Sequence, residues 1–215
     1  MSDGHTKRGD RAQHIQTLIR DAIVTGELAP GSALRQEELA KAYDSSRMPI
    51  REAFRSLSAE GLVQLIPNRD AIVAPIDLND LRENVEMREV SETLAIRLAL
   101  PHLSNAQIDR AAEIQNQIEN CDIQDFGRLN KAFHLALYEP SNRPRLMAHI
   151  GSLHDIAERY LRFTLQRLDY FDRSSADHKA IVEACYRRDE ARAIELTSSH
   201  IIEAGKTLEN YLENA

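Results

Sequence analysis

Apolar residues recur at helical spacing through most of this chain, and the one departure from that period falls early. From Arg11 the positions Ile15, Leu18, Ile19, Ala22 and Ile23 mark one face of a helix that Gly26 is placed to end. Leu28-Ala29-Pro30-Gly31 reads as a turn, because proline fixes φ and glycine permits the reversal. A short helix over Gln36 to Tyr43 turns Leu39 and Ala40 inward. Asp44-Ser45-Ser46 supplies a break and a hydroxyl N-cap for a second helix, which runs to about Glu60 and buries Ile50, Ala53, Phe54 and Leu57 before Gly61 stops it. Two short amphipathic helices across a tight polar turn form a helix-turn-helix pattern. The period then changes. Leu62-Val63-Gln64-Leu65-Ile66 and Ala71-Ile72-Val73-Ala74 are β-favouring runs around Pro67-Asn68-Arg69-Asp70, which predicts a two-stranded wing.

Past Pro75-Ile76-Asp77 nothing further reads as strand. Asp77 or Asn79 can cap a long helix carrying Leu81, Val85, Val90, Leu94, Ala95 and Leu98 and ending near Pro101. Five more helices follow, at about 104–120, 123–138, 144–168, 174–187 and 189–212, joined by short polar breaks. The prediction is therefore a mainly α protein: a disordered N-terminus over 1–10, a winged helix-turn-helix over 11–76, and a six-helix all-α bundle over 77–215.

Composition narrows this picture. Hydrophobic residues make up 42% and charged residues 28%, enough for an ordinary core. No apolar run approaches the roughly 18 residues that span a bilayer, and MSDGHTKRGD is too polar for a signal peptide, so a cytoplasmic protein is expected. Cys121 and Cys185 fall inside helical patterns and read as reduced thiols. The net charge of −7 is unevenly placed. Residues 1–76 hold 10 basic and 10 acidic side chains, whereas residues 77–215 hold 17 and 24. An acidic body is repelled by phosphate, so the neutral N-terminal part is the part that can approach DNA.

The start of the second short helix is basic and hydroxyl-bearing. Arg47 and Arg51 are placed for base-edge readout, guanine being the natural partner of a bidentate arginine. Ser46, Arg35 and the wing-tip pair Asn68 and Arg69 suit phosphates or the minor groove. A solvated polar face is the plain alternative for all of them. In the bundle, Asn130 and His134 lie four apart on one helix face, and His178 and His200 are each 11 residues from a turn near Asp189, level with one another in an antiparallel hairpin. Three imidazoles and a carbonyl oxygen would suit zinc, or else nickel or manganese. Histidines hydrogen-bonded to carboxylates have the same spacing. His154, symmetric with His134 about Pro144, is a further residue that could face the cavity, although lone histidines on long helices are more often surface or satisfied residues. There is no nucleophile elbow, phosphate loop or HExxH, so a metal-dependent hydrolase or metabolite-binding protein is the alternative rather than the main reading.

LxPGxxL from Leu28, the EELA run from Glu37, SRxPxREAxRxLxxEGLV from Ser46 and the following PNR resemble the GntR family of bacterial transcription regulators over roughly residues 11–76. Asp70 stands where the family usually has glycine at the wing tip. The bundle, through Met87-Arg88-Glu89-x-x-Glu92, Phe133-His134, Asp177-His178-x-x-Ile181 and His200, resembles the FCD ligand-binding domain of the FadR-like branch. That resemblance implies a metal held by Asn130, His134, His178 and His200, with Asn130 replacing the usual aspartate and removing one negative charge. It also implies a small organic-acid effector. A carboxylate can take open metal positions while Arg88 clamps its other end, with Arg162 a second candidate; an ion pair of Arg88 with Glu92 is the competing role. The implied function is a homodimeric transcription regulator, a repressor by preference, on a duplex operator with two-fold symmetry and without membrane association.

Overall fold

The computed structural model describes residues 3–67, 71–164 and 170–214, and the chain divides into two compact units, Met1–Ile76 and Asp77–Ala215. In the first unit, helix α1 (Asp3–Val24) begins earlier than the apolar pattern indicates, so the disordered N-terminus expected over 1–10 is helical from Asp3. Ile15, Ile19 and Ile23 of α1 are buried, and α1 packs on α3 (Arg47–Ala59), whose Ile50, Ala53, Phe54 and Leu57 are buried in turn. Glu60 after α3 receives a bidentate contact from Arg20 of α1, at 2.8 and 2.6 Å. The short helix α2 (Gln36–Ala42) precedes α3 across a turn where Asp44 takes a left-handed φ of 45°, a conformation that aspartate tolerates better than most side chains.

The wing has one strand more than the two expected. Strands β2 (Val63–Leu65) and β3 (Ala71–Val73) pair antiparallel, and β1 (Ala33–Leu34) joins the other edge of β3 with Leu34 opposite Ala71. Leu34 is buried there. Two residues are too few to show an alternating pattern, which is why the strand is silent in the sequence.

The second unit holds six α-helices among its described residues: α4 (Leu78–Ala99), α5 (Asn105–Glu119), α6 (Ile123–Tyr138), α7 (Pro144–Thr164), α8 (Tyr170–Tyr186) and α9 (Glu190–Glu213). Asp77 caps α4 by accepting from the Asn79 and Asp80 amides, Ser104 and Gln107 form a reciprocal capping box on α5, and Asp189 caps α9. Helix α4 packs between α7 and α9, and α5 between α6 and α8. Gly205 lets α9 come close to α4: a Cβ there would lie 2.6 Å from a methyl of Val85.

The buried stripe of α4 differs from the apolar one. Val90 is 65% exposed, while Leu81, Asn84, Arg88, Glu92, Ala95, Ile96 and Ala99 face inward. An apolar count overlooks that stripe because three of its members are polar, and polar groups enter an interior only where partners satisfy them. Asn84 donates to the Leu153 carbonyl at 3.1 Å, and Arg88 donates to Glu92 at 2.7 Å.

Candidate functional site

The first unit presents its basic residues on the start of α3. Ser46 occupies the N-cap with extended backbone, yet its hydroxyl makes no capping bond and is exposed, so the expected hydroxyl cap is not formed. Arg47 is exposed and pairs with Glu37 of α2 at 2.8 Å. Arg51, one turn further along the same face, is also exposed and points an Nη2–H at Met48 Sδ. Arg35 pairs with Glu38 at 2.8 Å. Exposed ion pairs of this kind contribute about 0–1 kcal/mol, so exchanging them for phosphate or base contacts costs little. Asn68, Arg69 and Asp70 lie outside the described residues.

In the second unit, α6 contributes Asn130 and His134, α8 contributes His178 and α9 contributes His200, all buried. Ligand atoms of the three histidines lie within 4.8 Å of one another. The α8–α9 turn, where Arg188 takes a left-handed φ of 57°, folds the last two helices together, and the His178 and His200 ring centroids stand 4.7 Å apart. Phe133 stacks on His178 at 4.0 Å.

The Nδ1 atoms of all three rings are already engaged. His134 Nδ1 lies 3.1 Å from Tyr138 Oη, His178 Nδ1 lies 2.6 Å from Gln115 Oε1, and His200 Nδ1 lies 3.2 Å from Asp177 Oδ2. The Nε2 atoms of His134 and His178, and Oδ1 of Asn130, are buried without a hydrogen-bond partner among the described residues. Burial holds the His134 and His178 imidazoles well below their ordinary pKa, and the neighbouring histidines push the same way, so both rings are neutral. The three histidines thus gather their ligand nitrogens, two of them bare, and Asn130, one helical turn before His134 on α6, adds a buried carbonyl oxygen without a partner among the described residues. Leaving such atoms unsatisfied is costly, and a borderline divalent cation satisfies them together. The residues present fit the metal that the sequence reading implies.

Beside this cage lies a second cluster that includes Glu92, His154 and Arg88. Glu92 is fully buried. Its Oε1 accepts from Arg88 Nε at 2.7 Å, and its Oε2 accepts from Tyr138 Oη at 3.0 Å and lies 3.3 Å from His154 Nε2. Burial alone would raise the carboxyl, but Arg88, then His154 and His134, hold it well below the usual carboxylate range. Glu92, His134 and His154 also form a metal-competent triad by distance. The Arg88 charge beside it disfavours a cation there, which leaves the three-histidine cage as the better site.

Of the two arginines expected to clamp an effector, Arg88 is buried in the pair with Glu92, and Arg162 is held by Glu158 at 2.8 Å and by the Gln124 carbonyl at 2.7 Å. Neither partner of Arg162 belongs to the histidine cluster. His154, read from the sequence as more often a surface or satisfied residue, is buried with its ring centroid 5.1 Å from that of His134. Gln115 and Tyr138 went unread. Tyr138 continues the four-residue spacing of Asn130 and His134, and Gln115 continues the inward spacing of Ile108 and Ala111, so both signals were present.

Comparison with known proteins places both units. Residues 83–203 match the FCD domain, and residues 11–73 match the bacterial regulatory proteins of the gntR family. The HTH-type transcriptional repressor RspR of Escherichia coli K12 is 25% identical over 200 residues, covering 91% of this chain and 88% of its own length. A GntR-family transcriptional regulator from Pseudomonas syringae pv. tomato is 32% identical with a TM-score of 0.58, covering 95% of this chain and 88% of that one. McbR/YncC of E. coli superposes with a TM-score of 0.81 at 20% identity over 95% of this chain and 99% of that one. Among the described residues no helix is long and apolar enough to cross a membrane.

Proposed function

Because this chain belongs to the GntR family of bacterial transcription regulators and carries an FCD domain, we propose that it is a cytoplasmic, homodimeric repressor whose FCD unit holds a divalent cation and, against it, a small carboxylate effector. DNA binding and the absence of an enzymatic role follow from the family itself. The finer reading is supported by one observation: His134, His178 and His200 bring ligand atoms within 4.8 Å of one another, with the buried Nε2 atoms of His134 and His178 left bare. Asn130, His134, His178 and His200 would hold the cation, which supplies a fixed positive centre for carboxylate oxygen. Zinc suits the nitrogen-rich set best, with nickel or manganese as alternatives.

Arg88 would serve the effector only by exchanging its internal carboxylate, Glu92, for an external one of the same chemistry. Arg162, committed to Glu158, is the weaker candidate. On DNA, Arg47 and Arg51 would read base edges in each half-site of a two-fold operator, while Arg35, Ser46, Asn68 and Arg69 would meet phosphate or the minor groove. Control requires the effector to bind the DNA-competent and released states with different affinities. A relative named a repressor favours repression over activation.

Gel shifts against the duplex upstream of the chain's own coding region, with and without zinc and a panel of small organic acids, test this reading. Salt-dependent binding that Arg51→Ala weakens by about 1–3 kcal/mol is expected, together with release by at least one acid. Normal binding by Arg51→Ala would remove the recognition-helix assignment. Metal analysis showing no zinc, nickel or manganese, with His178→Ala indistinguishable from wild type, would remove the cation.

A further inference from the structure

The cage is closed by residues that cannot touch its contents. Tyr138, Gln115 and Asp177 each hold the Nδ1 atom of one histidine, while the Nε2 atoms of His134 and His178 are buried and bare. What each of them can accept or donate fixes where the imidazole proton sits.

Tyr138 has a single hydroxyl proton. Its oxygen is 3.0 Å from Glu92 Oε2, and Glu92 also accepts from Arg88 Nε at 2.7 Å, so the carboxylate is the acceptor and the tyrosine donates to it. The Tyr138 oxygen is then an acceptor toward His134, and His134 must carry its proton on Nδ1.

Gln115 is oriented from its other end. Its Nε2 donates to Glu119 Oε1 at 3.1 Å and to Ser175 Oγ at 3.0 Å, and Glu119 is itself paired with Lys179 at 2.7 Å. With the amide nitrogen so placed, Oε1 faces His178 and accepts, and His178 is protonated on Nδ1. Asp177 is a carboxylate and only accepts, which gives the same tautomer to His200. Three separate chains of hydrogen bonds, rooted in α4, α5 and α8, therefore leave a lone pair on Nε2 of each ring.

We propose that Tyr138, Gln115 and Asp177 are positioning residues for the cation, locking all three histidines in the Nδ1–H tautomer so that a ligand set with no formal charge still binds it. This rests on the cation reading above. The need for such support comes from Asn130: with an amide in place of a carboxylate, all four donors are neutral. The negative charge nearest the ligands then lies one bond network further out, on Glu92 and Asp177. Hydrogen bonds from metal-bound histidine to such partners orient the ring and raise its basicity, and losing one typically costs 10–100-fold in metal affinity.

The test uses full-length protein stripped with chelator, wild type beside Gln115→Met and Tyr138→Phe, which remove an acceptor each and keep side-chain bulk. Asp177, being half-exposed, supplies a third variant, Asp177→Ala, that leaves the core untouched. Zinc affinity is read by competition with a chelating dye, and histidine tautomers by long-range ¹H–¹⁵N correlation in the metal-free state. The expected result is the Nδ1–H tautomer at His134, His178 and His200 in wild type. Zinc affinity is expected to fall about 10-fold or more in each variant, with His178 in Gln115→Met and His134 in Tyr138→Phe losing the single-tautomer signature. Wild-type protein with Nε2–H at these rings, or variants that bind zinc as wild type does, would overturn the proposal while leaving the cation reading standing. A wild type that takes up no zinc, nickel or manganese would overturn the cation reading and the proposal together.

Discussion

Replacing Glu92 by glutamine is the perturbation that reports most directly on how the bundle tolerates a buried charge. Glu92 and Arg88 are both inside the second unit, with side-chain exposures of 0% and 8% and a contact of 2.7 Å. With about 4 Å between charge centres and an effective permittivity near 20, the attraction is about 4 kcal/mol. Desolvation of the two ions, several kcal/mol each, cancels most of that in the intact protein. The variant keeps the shape and one acceptor but removes the carboxylate charge facing the guanidinium, and breaking such a buried pair costs about 3–5 kcal/mol. We therefore expect Glu92→Gln to lose about 3 kcal/mol and Arg88→Met a similar amount, with Arg88→Met/Glu92→Gln losing clearly less than the two together.

Urea unfolding of the chelated protein, followed by far-UV circular dichroism and by tyrosine fluorescence, measures this; the two probes guard against separate unfolding of the two units. The pH dependence has a fixed sign. The carboxyl is held well below its ordinary value of 4.5, so its contribution is complete above that pH and fades as the pH falls through the lowered value. Wild type and Glu92→Gln should accordingly converge in strong acid and reach their full separation by about pH 4.5. A loss below about 1 kcal/mol at pH 7, or single-variant losses that simply add, would show that Arg88 and Glu92 are not coupled as their geometry requires.

Three further outcomes follow from particular contacts. Gly205→Ala places a methyl 2.6 Å from a Val85 methyl and should lower stability by about 1–3 kcal/mol, partly recovered in combination with Val85→Ala, by urea midpoint. Burial pushes the Cys185 thiol up to about 12, so peptide mapping after iodoacetamide at pH 8 should find Cys121 modified first and Cys185 only once the protein unfolds. Arg35→Ala should weaken binding to every duplex about equally and reduce the salt slope by about one, whereas Arg47→Ala should relax base preference; a sequence-selective loss in Arg35→Ala would reverse the two assignments.

Much of the fold is legible in the chain because it is carried by local signals. The four-residue periods of α1 and α3, the Asp44-Ser45-Ser46 break, the capping of α4 by Asp77 and of α5 by Ser104, and the stops at Gly26 and Gly61 are all decided within a few residues of where they act. The four-residue spacing of Asn130 and His134 is of the same kind, since one helix turn sets it. The His178 and His200 ring centroids stand 4.7 Å apart because the α8–α9 turn is short.

Only the tertiary structure decided what faces these residues. The inward stripe of α4 is unreadable from apolar spacing, since Asn84, Arg88 and Glu92 become core residues only when Tyr138, His154 and the Leu153 carbonyl arrive from other helices to satisfy them. Leu34 becomes a strand residue only because Ala71 is there to pair with. Gln115, on α5, meets His178 across 63 positions of sequence. Helix periodicity is set by backbone geometry and travels with the chain, whereas the satisfaction of a buried polar atom is a meeting of distant segments. The chain by itself therefore determined which side chains the bundle offers, and the packing of its helices determined which of their nitrogens were brought together and left bare.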